Sequence, residues 1–93
     1  MQDNYNYPLD IEWTQPEMLV VMAMWQALED TYEKGLPAAQ FLTVYQEFKT
    51  VIKSIGEERK LGRDFEEVSG YSLYRAVQAA KAAPDKMLKM KGA

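Results

Sequence analysis

Between Thr14 and Lys34, apolar residues recur at helical spacing: Met18, Val21, Met22, Trp25, Leu28 and Tyr32 share one stripe. Leu19, Val20, Ala23, Met24 and Ala27 widen it until the first half of the segment is apolar nearly all round, more than one neighbouring helix can cover. The pattern predicts a central helix over 15–34, with Leu19, Val20 and Met24 as a surplus face for a protein partner or a homodimer. Its start is marked by Thr14 and Glu17, which have the spacing of a capping box. Pro16 is tolerated because first-turn amides have no acceptor within the helix. Its end is marked by Gly35, which takes a left-handed conformation without a Cβ penalty.

Three further helices follow. Pro37 opens one over 37–53, with Phe41, Val44, Tyr45, Phe48, Val51 and Ile52 at spacings of three and four. Ser54 and Glu57 then offer a second capping box for a helix over 57–69, with Leu61, Phe65 and Val68 on its narrow apolar edge. Gly62 inside it costs about 1 kcal/mol relative to alanine. Either another backbone passes close by or this helix is only marginally stable. Gly70 ends the helix and places Tyr71 to pack back onto Phe65. Ser72 caps the last helix, over 72–83, whose inner face is Leu73, Tyr74, Val77 and Ala80 and whose end is marked by Pro84.

The segment ahead of these helices has a different period. Tyr5, Tyr7, Leu9, Ile11 and Trp13 alternate with polar residues and Pro8, which predicts an extended arm laid over the helices with its odd-numbered side chains inward. The fold class is therefore all-α: a compact array of about four helices and an arm, in a single domain over 5–83. Residues 84–93, with Lys86, Lys89 and Lys91, read as a basic, frayed tail.

Composition narrows the chemistry. The chain has 93 residues, 47% of them hydrophobic, and contains neither cysteine nor histidine. Disulfides and thiolate chemistry are thereby excluded, and the commonest general base and transition-metal ligands are missing. Carboxylate pairs occur one helical turn apart, Glu29 with Glu33 and Asp64 with Glu67, but helical di-metal sites add histidines at fixed spacing to such pairs. They fit solvated surface groups better, with Lys60–Asp64 and Arg63–Glu67 at ion-pair spacing. No catalytic residue, metal or cofactor is expected.

The net charge of −3 is unevenly spread. The first 33 residues hold seven of the fourteen acids and no base, so all eleven bases lie downstream. That division points to complementary surfaces or to a basic face for a partner. A helix-turn-helix over Asp64–Ala80 would project Arg75, Gln78 and Lys81 towards nucleic acid. Glu66 and Glu67 repel phosphate there, and a pI near 4.9 lacks the basic footprint of nucleic-acid domains. The longest apolar run, Met18–Trp25, is far short of the roughly 20 residues a membrane span needs. The first residues lack a secretory pattern, so a cytoplasmic protein is expected.

Certain short words also recur in a known group. Tyr7-Pro8-Leu9-Asp10 with Trp13-Thr14, then Trp25-Gln26-Ala27, Tyr32-Glu33-Lys34-Gly35 and Phe65-Glu66-Glu67-Val68-Ser69-Gly70-Tyr71-Ser72, make the chain similar to uncharacterised protein family 0223 over roughly Tyr5 to Ala83. The resemblance implies a small bacterial protein of about four helices and brings no activity, cofactor or catalytic residue with it. A non-enzymatic interaction or regulatory module is thus the expected function, with nucleic-acid binding through Arg75, Gln78 and Lys81 as the alternative.

Overall fold

A computed structural model describes residues 7–91. It contains four helices, α1 (Gln15–Glu33), α2 (Ala38–Val51), α3 (Ile55–Ser69) and α4 (Leu73–Ala82), and two short strands, β1 (Leu36–Pro37) and β2 (Met87–Leu88). The fold is all-α apart from that two-stranded ladder. Tyr5 and the last two residues of the expected frayed tail lie outside the described residues.

The helix starts follow their caps. Thr14 Oγ1 accepts the Glu17 amide, and Glu17 Oε1 accepts the Thr14 amide at 2.8 Å, completing the capping box. Ser54 and Ser72 cap α3 and α4 through their hydroxyls, accepting the amides of Glu57 and Arg75; the Glu57 half of the box expected at Ser54 is not formed. Gly35 and Gly70 have φ of 93° and 81°, the left-handed stops the sequence assigns them.

α1 packs most extensively on α2 and also meets α4 and β1. At its middle, Trp25 is fully buried and gathers the other elements. It stacks on Phe65 of α3 with ring centroids 4.7 Å apart and meets Phe48 of α2 edge-on at 5.7 Å. Its indole N–H donates to the Pro8 carbonyl at 3.2 Å, which fastens the arm. Tyr7 adds an Oη–Glu29 hydrogen bond and a tilted contact with Phe65. The arm therefore lies over the helices with Tyr7 and Trp13 against the core, but Leu9 and Ile11 break the inward alternation. From Asp10 the backbone turns: Asp10 Oδ1 accepts the Glu12 amide, and the Asp10 carbonyl accepts that of Trp13. Ile11, at the corner, is 88% exposed.

Residues 86–90 of the tail dock on the helices. Leu36 pairs with Leu88 and Pro37 with Met87 in antiparallel register, and Leu88 is only 5% exposed. Two helix ends explain the docking. Pro37 precedes α2 without a side-chain cap, and the Ala38 amide donates instead to the Lys86 carbonyl at 2.9 Å. Met90 donates its amide to the Thr31 carbonyl at 2.7 Å, in the last turn of α1, where carbonyls have no partner within the helix.

Three packing expectations are also corrected. The ring on which Tyr71 stacks is that of Tyr32, with centroids 4.6 Å apart, rather than Phe65, and Ser69 Oγ accepts the Tyr71 amide. Tyr74, expected on the inner face of α4, is exposed, while Ala76 takes the buried position beside Leu73, Val77 and Ala80. Val68 is likewise exposed on α3.

Candidate functional site

The turn between α3 and α4 is clamped to α1 by one phenol. Tyr32 Oη accepts the Ser72 amide at 3.1 Å and donates to the Ser72 carbonyl at 3.2 Å, so both backbone groups of the α4 cap are satisfied in a buried place. Tyr71 next to it donates to Glu33 Oε2 at 2.8 Å. Held this way, α3 and α4 diverge along a groove of about 400 Å³.

The groove has an apolar floor and a charged rim. Gly62, Leu73 and Val77 lie along it, with exposed Ile55 and Tyr74 at its sides. Arg59, Arg63, Glu66 and Lys81 supply the charges. Lys81 lies over the Tyr45 ring at 5.7 Å, a cation–π contact. Glu58, which also reaches the groove, accepts from Tyr45 Oη at 2.8 Å and is paired with Lys49, so its charge is already answered. Among the described residues, Arg59 and Arg63 have no ion-pair partner; the ion pairs there are Lys34–Asp30, Lys49–Glu58 and Lys60–Asp64. Arg63–Glu67, expected from spacing, is not formed. The groove is therefore net positive, on a chain that is negative overall.

Of the residues singled out for nucleic acid, Arg75, Gln78 and Lys81 all lie exposed on α4, and Gln78 and Lys81 line the groove. The partner face proposed on α1 does not survive intact. Leu19 is exposed and Val20 half-buried, but Met24 is fully buried in the core beside Trp25 and Leu28, so it presents nothing to a partner. Sequence reasoning missed Ile55, Arg59, Arg63 and Tyr74 as groove residues. The only signal was the glycine at 62, which leaves the groove floor low where α4 approaches.

The carboxylates considered for chemistry have other duties. Glu29 accepts from Tyr7 Oη and Glu33 from Tyr71 Oη, each at 2.8 Å, joining α1 to the arm and to the α3–α4 turn. Burial, and then the hydrogen bond to its glutamate, pushes the hydroxyl of Tyr7 and of Tyr71 up to about 12. Tyr45 is raised for the same reasons, with Glu58 as acceptor. Asp64 faces Lys60 at 3.4 Å. Among the described residues, no three acidic side chains converge as a metal site would require, and no helix is long and apolar enough to cross a membrane.

A second hollow, of about 430 Å³, lies between the arm and α3, bordered by Leu9, Ile11, Trp13 and Leu61. Together these features define a small four-helix protein with a positively charged open groove on one flank of α3 and an acidic, apolar turn on the other. The chain belongs to the uncharacterised protein family UPF0223, whose model matches residues 4–89. The match runs past Ala83 and takes in β2, so residues 84–89 of the tail that the sequence left outside the resemblance are part of it. A UPF0223 protein of Enterococcus faecalis is 58% identical over 87 residues, covering 94% of this chain and 95% of its own. Similar relatives occur in Streptococcus gordonii, 47% identical over 90 residues (97% and 98% covered), and in Streptococcus pneumoniae, 49% identical over 81 (87% and 88%).

Proposed function

We propose that this protein is a non-enzymatic interaction module whose contact surface is the α3–α4 groove. The observation that carries this reading is the pairing of exposed apolar side chains, Ile55 and Tyr74, with two arginines that have no ion-pair partner among the described residues. Apolar contact supplies affinity in such a groove, and rim charges select the partner and speed the encounter. Glu29, Glu33 and Glu58, by contrast, are occupied in holding tyrosine hydroxyls. Cross-linking of the intact chain and of an Arg63→Glu/Tyr74→Ala variant tests the reading. A bound protein, or a second copy, is expected with the first and lost with the second, while circular dichroism stays the same. Equal recovery from both chains overturns it.

A second reading rests on α4, which has no acidic residue and exposes Arg75, Gln78 and Lys81. Gel shifts at low and high salt test it, since phosphate contacts weaken steeply with salt. A shift lost in Arg75→Ala/Lys81→Ala supports nucleic-acid binding, and a shift indifferent to both substitutions removes it.

A further inference from the structure

We infer that the groove takes the Asp10–Trp13 turn of a second copy of this chain, giving a reciprocal dimer; this rests on the interaction reading above and names its partner. The turn is an apolar knob between two carboxylates: Ile11, 88% exposed, stands between Asp10 and Glu12, both exposed, with Leu9 beside it. The groove is its converse, an apolar floor edged by Arg59, Arg63 and Lys81, which outnumber Glu66 and the Glu58 carboxylate already paired with Lys49. The division of charge along the chain thus becomes a division in space. The first 33 residues carry acids and no base, and the groove that lies downstream carries an excess of bases.

The two surfaces cannot meet within one molecule. The arm is fastened by Trp25 Nε1 to the Pro8 carbonyl and by Tyr7 to Glu29, and its turn is rigidified by two hydrogen bonds to Asp10. They also lie on opposite flanks of α3: Leu61 and Asp64 border the hollow beneath the turn, whereas Arg59, Gly62 and Arg63 border the groove. A two-fold axis running along the exposed ridge of α3, parallel to the helix, brings each turn opposite the other copy's groove. Both contacts are then made at once and the assembly closes, where a single head-to-tail contact would propagate. A turn pre-formed on its own chain loses little entropy on docking, which favours so small a knob.

Sedimentation velocity across a concentration series tests the proposal with the intact chain, an Ile11→Asp variant and an Arg59→Glu/Arg63→Glu variant. All these positions are exposed, so circular dichroism should be unchanged in each. The intact chain is expected to dimerise, and each variant to weaken dimerisation by about tenfold or more. Mixing the two variants is expected to restore part of the association, because the mixed pair keeps one intact turn seated in one intact groove. A chain that stays monomeric throughout overturns the proposal, as does a dimer indifferent to both variants or a mixture with no recovery. Monomeric protein that is nevertheless cross-linked to another protein through Arg63 and Tyr74 overturns the dimer and leaves the interaction reading standing. Monomer that retards RNA or DNA through Arg59 and Arg63 overturns it too and assigns the groove to nucleic acid.

Discussion

At the scale of single residues, tyrosines do much of the joining. Tyr32 clamps the α4 cap, and Tyr7, Tyr45 and Tyr71 each spend a hydroxyl on a glutamate of another segment. For Tyr71 the protonated phenol is the form that the fold favours, its titration being raised to about 12. The stabilisation is therefore complete below the ordinary tyrosine value of about 10 and is lost as pH rises towards 12. Tyr71→Phe, which keeps the ring stacked on Tyr32, removes only this contribution. The stability gap between the intact chain and the variant, from urea unfolding, is expected to stay level up to about pH 10 and to shrink above it; a gap constant through that window contradicts the hydrogen bond to Glu33. Gly62 answers differently. A Cβ there meets Leu73 Cβ and Cδ2 at 3.5 Å, an ordinary contact with a side chain rather than a backbone crossing. Gly62→Ala is expected to stabilise the protein by about 1 kcal/mol in the same experiment, and a loss of stability would mean that α3 and α4 approach more tightly than this geometry shows.

At the scale of elements, the helices were legible because each carries its own punctuation. The capping residues Thr14, Ser54 and Ser72 and the stops Gly35 and Gly70 act within a few residues of where they stand, so helix bounds were placed within about two residues. What could not be read depends on partners distant in sequence. Tyr71 chooses Tyr32 over Phe65, and the tail docks because α1 and α2 leave a carbonyl and an amide open; neither fact has a local sequence signal. The groove is hidden for the same reason: about half its lining comes from α3, whose exposed side carries the charged pattern of a solvated surface. The docked tail makes its own prediction. Leu88→Ala removes a side chain that is nearly fully buried against the helical core and is expected to cost about 2 kcal/mol or more. A thermal midpoint equal to that of the intact chain would show that β2 contributes nothing.

At the scale of the whole molecule, the uneven charge ceases to be a property of composition and becomes one of shape. The acidic turn and the basic groove lie on either flank of one helix, so the dimer proposed above has an electrostatic component that salt would screen. Its range falls from about 10 Å at 0.1 M to about 3 Å at 1 M ionic strength. The dimer dissociation constant from sedimentation is expected to rise with added sodium chloride; an association strengthened by salt would identify an apolar contact without charge selection. The tail contacts also have a consequence for shortened chains. Lys86 and Met90 supply the hydrogen-bond partners of the Ala38 amide and the Thr31 carbonyl. A chain cut before Lys86 keeps the residues of all four helices yet leaves those two backbone groups to water, so α1 and α2 hold together less firmly than with residues 86–90 in place.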